Sequence, residues 1–535
     1  MRAGIRTLLL AIGLPSFAAA SEPSGPASEK PPSSGAPAAR RYRLATRHTP
    51  TSVRTAHRHL DWSNKPALYP GDAGAVIVAL PSPARLEQAA LTAIGAEGTA
   101  GAAEHRVLDR TTLGTILFFT GGIIGARPDS GGDLRATASA GALYPNETYV
   151  VVGPLPDLDA GVYHYEPKSH RLTVLRSGDW RGALATAAAD ETVRTAPATV
   201  VLTGILWRTA WKYGERGYRH LFWDGGMMLA HILAAAGRLP AHVLGAFKDE
   251  EVDRLVGADG QREMSLALVT LGAPATASGV PSVSDSSPPP LSRSLAHATA
   301  PHDHPEALRY HAASRLGDAA AVTGLRRARP QARPTAAQSL RPLPEPAAAR
   351  GDSSLDAVIR RRRSTRRFAR QSISAAELAA VLERPTRGVA ADFLSERPTL
   401  LEIFVIVNAV DGVPGGSYRY DPQRNGLELI AAGDFRSAAG FLCLEQALAS
   451  DASAVLFYLS DLEAAGAAFG ERGYRLAELE AGLVAGRAYL AAYATGRGAT
   501  GLTFYDDEVP RFFAAPAAGL DTLLVVAVGV PRRHS

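Results

Sequence analysis

The 535-residue sequence contains a single cysteine, Cys443. An intrachain disulfide is therefore excluded, and so is a zinc or iron–sulfur site built from several cysteines of this chain. The sequence also lacks an apolar run of about 18 residues, the length that a membrane-spanning helix needs, so we expect no membrane span. The net charge is small, because 57 Lys and Arg are nearly balanced by 52 Asp and Glu. So small a surplus argues against nucleic acid as a partner.

The N-terminal segment, residues 1–40, has a composition unlike the rest of the chain. Two early arginines precede a short leucine-rich stretch, an alanine triplet and a region rich in Ser, Pro and Ala. This pattern is typical of a secretory signal, and equally of an unstructured N-terminus. We predict a signal-like or disordered segment in a cytoplasmic protein, with export to the periplasm or beyond as the alternative.

A second stretch of unusual composition, residues 273–350, is rich in Pro, Ala and Ser and has little apolar periodicity. It predicts a linker between two globular halves. His302, His304 and His311 lie within it without the regular spacing of a metal site. We expect these histidines to be solvated, and we expect no metal.

The two halves of the chain repeat each other. The hexapeptide GERGYR occurs at 214–219 and again at 470–475, which is 256 positions later. The strand-like runs ETYVVV at 147–152 and EIFVIV at 402–407 are 255 positions apart. A nearly constant offset indicates tandem duplication, which would give two like domains able to pack as a built-in dimer.

Each copy mixes valine-rich buried strands with long small-residue helices, without a strict alternation of strand and helix. This pattern predicts an α+β fold, in which a mixed, mainly antiparallel sheet is layered with helices. We predict two such domains, at 41–272 and 351–535, that form an intrachain pseudo-dimer.

The copies differ where ligand chemistry would be expected. The second copy contains RRRRSTRRF at 360–368, where guanidinium groups, a hydroxyl and backbone N–H groups could bind a dianionic phosphate. A solvated basic face is the alternative interpretation. Residues 101–112, the equivalent stretch of the first copy, have no such cluster.

Conversely, the first copy contains SAGALYP at 139–145, where the second has SERPTLL at 395–401. Small residues followed by Tyr-Pro would let the backbone approach a flat ligand, or would simply form a tight turn into the next strand. Lys212 and Tyr213 precede the first hexapeptide, and the second copy has no proton-handling pair at that place.

These motifs resemble the SagB/ThcOx-type dehydrogenases of the nitroreductase superfamily. The resemblance rests on SAGALYP, on GVYHY at 161–165, and on KYGERGYR at 212–219, while RRSTR at 362–366 is similar to a motif of nitroreductases in general. It covers about 41–272 and 350–533. It implies two tandem nitroreductase-like domains with FMN bound between them, where most relatives use a homodimer.

The resemblance also implies roles for individual residues. The FMN phosphate and pyrimidine edge would be contacted by second-copy residues, namely Arg362, Arg363, Ser364 and Arg366 with Arg532 or Arg533. The flavin ring would lie along first-copy residues, namely Ser139, Ala140, Gly141 and Tyr144. The backbone would pass near flavin N5 at Thr503 and Phe504. Because the two main sets survive in opposite copies, we expect one complete site and one FMN per chain.

Lys212 and Tyr213 correspond to a Lys-Tyr pair proposed as catalytic in azoline dehydrogenases. A lowered pKa in a dry, cationic pocket would suit either residue to act as a base. The resemblance thus implies an FMN-dependent oxidoreductase that moves hydride between a small or peptide-derived substrate and flavin N5, with NAD(P)H or oxygen as redox partner. The alternatives are an NAD(P)H-dependent nitro or quinone reductase and a non-catalytic flavin-binding partner subunit.

Overall fold

Buried apolar strands build two sheets in the computed structural model of the chain. The structure describes residues 36–55, 60–69, 76–95, 107–127, 131–273, 288–291, 303–331, 333, 339–394 and 400–532. The strands are β1 (Ile77–Ala79), β2 (Ile123–Ala126), β3 (Asp133–Arg135), β4 (Asn146–Val152), β5 (Gly161–Glu166), β6 (Arg171–Ser177), β7 (Ala198–Ile205), β8 (Ala241–Leu244), β9 (Glu263–Leu271), β10 (Leu340–Pro342), β11 (Ile373–Ser374), β12 (Glu402–Val407), β13 (Val410–Asp411), β14 (Gly416–Asp421), β15 (Gly426–Ala432), β16 (Ala454–Ser460), β17 (Gly498–Leu502) and β18 (Asp521–Gly529).

Helices cover both sheets. They are α1 (Pro37–Thr46), α2 (Pro50–Thr55), α3 (Ala90–Gly95), α4 (Arg110–Gly121), α5 (Arg181–Ala188), α6 (Glu191–Thr195), α7 (Leu206–Tyr213), α8 (Gly217–Ala236), α9 (Asp249–Val256), α10 (Pro305–Ala313), α11 (Ala319–Arg327), α12 (Leu355–Arg361), α13 (Ala375–Glu383), α14 (Arg436–Leu442), α15 (Ala447–Asp451), α16 (Leu462–Phe469), α17 (Arg472–Ala494) and α18 (Glu508–Phe513).

The two seven-stranded sheets have the same topology. The first has the order β1-β6-β5-β4-β7-β9-β8 and the second β10-β15-β14-β12-β16-β18-β17, and all their strand pairs are antiparallel. Strands β4 and β7 are buried along their whole length, as their continuous apolar runs predict. The predicted α+β fold, with two like halves that each hold an antiparallel sheet layered with helices, is therefore confirmed.

The two halves meet along the central helices α8 and α17, which follow the two hexapeptides. Every residue of α8 is buried, and glycines let the backbones approach closely. A Cβ atom at Gly226 would overlap the carbonyl of Leu479, and one at Gly482 would overlap that of Trp223. The helix pair thus needs glycine on both sides of its crossing.

The arginines of each hexapeptide bind an aspartate of the opposite half. Arg216 and Arg219 bind Asp506 at 2.8 and 2.6 Å. In the same way Arg472 and Arg475 bind Asp249, at 2.5 and 2.9 Å. Burial alone would raise the pKa of Asp249, but the two guanidinium groups outweigh it and lower that pKa to about 2. These buried, charge-assisted pairs fix the two halves in one register.

Part of the stretch predicted as a linker is folded, because α10 and α11 lie within it. Helix α10 is the counterpart of α1, since RYHAASRL at 309–316 repeats RYRLATRH at 41–48. The rings of Tyr42 and Tyr310 stack at 5.3 Å, and their hydroxyls donate to the carbonyls of Glu215 and Glu471, both at 2.7 Å. We therefore propose that the second domain begins near residue 303, before this helix.

Two of the three linker histidines are buried, contrary to expectation. His304 and His311 are 7% and 2% exposed, and His311 Nδ1 lies 3.0 Å from the Tyr218 hydroxyl. The expectation of solvated side chains was wrong because α10 packs between the halves. His302 lies outside the described residues, as does the predicted N-terminal segment up to residue 35. None of the helices in the described ranges has the length and apolar character needed to cross a bilayer.

Substitution of Gly226 by alanine tests the close approach of α8 and α17. We expect Gly226→Ala to lower the free energy of unfolding by about 3 kcal/mol, because its Cβ would collide with backbone that cannot move independently. Gly324 in α11 is the control, since a Cβ there has no neighbour within 4 Å. Gly324→Ala should stabilise the protein by up to about 1 kcal/mol. Urea denaturation measures both free energies of unfolding. Equal changes in Gly226→Ala and Gly324→Ala would contradict this account of the interface.

Candidate functional site

A cavity of about 370 Å³ lies between the two halves. We call it the seam cavity. Its first-half lining residues are Arg127, Leu134, Thr137, Ala138, Ser139, Ala142 and Tyr144, and its second-half lining residues are Arg362, Arg363, Ser364, Thr365, Arg366, Arg367, Tyr493, Pro531 and Arg532. The two sets that the sequence placed in opposite copies thus meet in one cavity, within the size range of cofactor pockets.

Residues 362–367, here called the arginine segment, form the second-half wall. Helix α12 ends at Arg361, and the chain then runs beside the ends of β17 and β18. The amide of Thr365 donates to the carbonyl of Ala499 at 2.9 Å, and that of Ala369 donates to Val530 at 2.9 Å. This backbone pairing holds the arginine side chains at the cavity.

Arg362 joins the two halves at the cavity wall. It is 2% exposed, and its Nε and Nη2 donate to the backbone carbonyls of Arg135 and Ala136 at 2.8–3.2 Å. Its side chain also lines the seam cavity. The contact of Arg362 with the phosphate and pyrimidine edge of FMN stays a prediction.

The cationic groups available to a ligand are other arginines of the same segment. Arg366 and Arg367 are exposed, and within the described part of the chain their side chains form no hydrogen bond or ion pair. Arg363 donates to the carbonyls of Arg360 and Arg362, each at 2.8 Å. The sequence reasoning missed Arg367, although it stands in the same arginine run.

Charge of one sign dominates the seam cavity. Its lining includes six arginines and, among the described residues, no carboxylate. Arg127, which the sequence reasoning also missed, reaches the cavity from the β2–β3 hairpin, and its Nε is buried without a hydrogen-bond partner among the described residues. Such a lining selects an anionic ligand, and guanidinium forks suit phosphate.

Residues 139–144, here called the ledge, form the first-half wall. Ala140–Ala142 make a single 3-10 turn. Gly141, Ala142 and Tyr144 have φ angles of 64°, 53° and 44°. The left-handed conformation turns this backbone sharply before β4, so that Ser139, Ala142 and Tyr144 line the cavity.

A buried acid that the sequence reasoning missed supports the ledge. Asp224 of α8 accepts hydrogen bonds from the Ser139 hydroxyl at 2.5 Å and from the Ala140 amide at 3.1 Å. The Tyr144 amide in turn donates to Ser139 Oγ at 2.9 Å. Asp224 stands 256 positions before Glu480, which is the offset of the two hexapeptides, and this correspondence was a signal available in the sequence.

Lys212 and Tyr213 lie against the ledge, at the end of α7. A Cβ at Gly141 would lie 3.0 Å from the Tyr213 hydroxyl and 3.2 Å from Lys212 Nζ. Burial and the charge of Arg366 lower the pKa of Lys212. Burial instead raises the pKa of Tyr213. The lowered pKa expected of a base is thus found for Lys212 and not for Tyr213, and the catalytic role of the pair stays a prediction.

The residues predicted near flavin N5 do not line the seam cavity. The Thr503 hydroxyl accepts a hydrogen bond from the Gln446 side chain at 3.1 Å. Phe504 is fully buried, with the Arg216 guanidinium 5.0 Å from its ring centre. Arg532 does line the cavity, while Arg533 lies outside the described residues.

The reciprocal site falls largely on residues that the structure does not describe. Its two parts would be residues 101–112 and 395–401, of which 101–106 and 395–399 are outside the described ranges. The loss of this second site stays a prediction. In the described part of the chain, no group of three or more His, Cys, Asp or Glu side chains is arranged to hold a metal ion.

The chain is similar to known proteins in sequence and in fold. Residues 359–530 match the model of the nitroreductase family. A protein of Methanocaldococcus jannaschii described as a nitroreductase is 30% identical over 161 residues, which are 29% of this chain and 81% of that protein. A crystal structure from Anabaena variabilis, also described as a nitroreductase, is similar over 92% of this chain and 99% of its own, with 25% identity and a TM-score of 0.72. The latter similarity spans both sheets.

The titration of Lys212 tests the link between the ledge and the arginine segment. Arg366→Met should raise the pKa of Lys212, because one of the two causes of its lowering is removed. The measurement is the pH dependence of Lys212 acylation, followed by mass spectrometry. Arg370→Met is the control, because Arg370 is exposed and binds Asp451. An unchanged Lys212 titration in Arg366→Met would mean that burial alone sets this pKa.

Proposed function

The chain belongs to the nitroreductase family, and from that premise we propose that it is an FMN-dependent dehydrogenase of the SagB type. It would move hydride between a small or peptide-derived substrate and N5 of the flavin. The observation that carries this proposal is the seam cavity, in which the arginine segment of one half faces the ledge of the other. Neither half supplies both walls, so one site is expected per chain.

The lining of the seam cavity fits FMN in charge and in shape. Arg366, Arg367 and Arg532 offer guanidinium groups to a phosphate, and Ser364 adds a hydroxyl. The small side chains Ala138 and Ala142 leave room beside the first-half wall for a flat ring. Arg362 would join the two walls, and Asp224 would hold the ledge in place.

The flavin would supply the hydride chemistry, and the protein side chains would handle the proton. Lys212, with its lowered pKa, suits removal of a proton from substrate carbon. Tyr213, with its raised pKa, suits donation of a hydrogen bond to the same substrate. Arg366 influences both titrations, which joins this pair to the cationic wall.

The visible spectrum of the purified protein tests the cofactor and its stoichiometry together. We expect about one FMN per chain, and double substitution of Arg366 and Arg367 by alanine should weaken its binding about a hundredfold, because two charge-assisted contacts are lost. Arg370→Ala is the control, since Arg370 belongs to the same stretch but does not line the cavity. Two flavins per chain, or none, would overturn the proposal.

A nitro or quinone reductase is the second candidate, favoured because the similar proteins are described as nitroreductases. The two activities differ in their need for a base. Lys212→Ala combined with Tyr213→Phe should abolish oxidation of an azoline substrate, and should leave NAD(P)H-dependent reduction of a nitro compound nearly unchanged. Bound flavin that neither an azoline substrate nor NAD(P)H can reduce would favour a non-catalytic partner subunit.

A further inference from the structure

The carboxyl group of Asp224 lies directly beneath the ledge and is 4% exposed. Its Oδ2 accepts the Ser139 hydroxyl at 2.5 Å, and the Ala140 amide lies 3.1 Å from both carboxyl oxygens. Ser139 Oγ accepts the amide of Tyr144 at 2.9 Å. Asp224 thereby holds the start of the ledge directly and its end through Ser139, while Arg208 Nη1 donates to the Tyr144 carbonyl at 2.9 Å.

The ledge needs such an anchor because its conformation is unfavourable by itself. Ala142 and Tyr144 adopt left-handed φ angles of 53° and 44°, which residues with side chains rarely occupy. Conformations of this kind persist only where the surroundings impose them. Since Ala142 and Tyr144 both line the seam cavity, the anchor also determines the shape of that wall.

The surroundings of Asp224 contain no compensating ion pair in the described part of the chain. Arg135 of β3 and Asn146 of β4 line a cavity of about 20 Å³ together with Asp224. The Tyr213 hydroxyl on α7 interacts electrostatically with Asp224, and Lys212 of the same helix lies against the ledge. Burial raises the pKa of Asp224 to about 7, although the bonds from Ser139 and Ala140 oppose this shift.

From these contacts we propose that Asp224 is a positioning residue for the ligand of the seam cavity: its ionised carboxyl holds the ledge in place, and protonation releases the ledge. The proposal rests on the proposed function, because FMN is the ligand that tests it. The ionised form is present above about pH 7, so the ledge contacts are complete there and are lost as the pH falls through 7.

The other half provides a matched control. Glu480 of α17 is 1% exposed, and its Oε2 accepts the amide of Leu400 at 3.2 Å. It corresponds to Asp224 by the 256-residue offset of the hexapeptides. Leu400 is not among the residues that line the seam cavity. Neutralising Glu480 therefore disturbs an equivalent buried acid without touching the ledge.

The experiment compares FMN affinity in the wild type, Asp224→Asn and Glu480→Gln between pH 6 and 8.5, followed by flavin fluorescence. The FMN phosphate titrates near pH 6 in all three proteins. The informative quantity is therefore the dissociation constant of each variant divided by that of the wild type at the same pH. We expect Asp224→Asn to bind about tenfold more weakly than the wild type at pH 8.5. The ratio should approach one at about pH 6, where wild-type Asp224 is protonated. Glu480→Gln should bind FMN like the wild type throughout.

Two measurements without ligand separate positioning from general stability. Hydrogen exchange in peptides spanning residues 139–146 should be faster in Asp224→Asn than in the wild type at pH 8, and unchanged in Glu480→Gln. The melting temperature of Asp224→Asn at pH 8 should not fall. A carboxyl whose pKa is raised on folding opposes folding increasingly as the pH rises from about 4 through 7, and asparagine removes that cost.

The outcomes distinguish this inference from the proposed function. If the wild type binds no FMN at any pH, the proposed function is wrong. If the wild type binds FMN and Asp224→Asn binds it equally at pH 8.5, with unchanged exchange in the ledge, the role of Asp224 is wrong while the function stands. If Glu480→Gln weakened FMN binding as much as Asp224→Asn, the role of Asp224 would also be wrong, since the effect would then come from the helix pair α8 and α17.

Discussion

The close crossing of α8 and α17 is the constraint on which the rest of the structure depends. Glycines at the crossing let two backbones touch, and no side chain can be inserted between them without separating the halves. Both hexapeptides lie at the start of these helices, so the crossing also brings their arginines to the aspartates of the opposite half. The position of the seam cavity follows from this contact, because α8 holds Asp224 beneath one of its walls.

The two walls of the seam cavity are stabilised by unlike means. The arginine segment is held by backbone hydrogen bonds to the ends of β17 and β18, and by Arg362, whose guanidinium reaches first-half carbonyls. The ledge is held by the buried carboxyl group of Asp224 and, at Tyr144, by hydrogen bonds from the Arg208 guanidinium and the Arg135 amide. Charge is thus concentrated on the second-half wall, while the wall that would face a flat ring is supported in part by the carboxyl group of Asp224.

The sequence predicted the elements that depend on local pattern. Continuous valine-rich runs predicted β4 and β12, and the repeated hexapeptide predicted two like halves. The family resemblance implied that Ser139 and Ser364 would lie at one site, and both line the seam cavity. The sequence did not reveal α10, because this helix lies in a Pro- and Ala-rich stretch and repeats α1 at a different offset. A comparison of the two halves at an offset of about 256 positions therefore misses the match between α10 and α1.

The remaining differences between the sequence predictions and the structure concern contacts between distant parts of the chain. Nothing local to Arg362 distinguishes it from Arg366, yet the Arg362 guanidinium binds carbonyls 226 and 227 positions away, while the Arg366 side chain is exposed. The opposite pKa shifts of Lys212 and Tyr213 likewise have burial as their first cause, and burial is decided by packing rather than by sequence neighbours.

Joining the two halves in one polypeptide changes what a substitution can do. In a symmetric homodimer every change appears twice, once on each side of the axis, so that both sites must tolerate it. Here a change in the ledge is made once, and the corresponding place in the other half keeps its own sequence. The fused architecture therefore allows the two faces of the pseudo-axis to evolve separately.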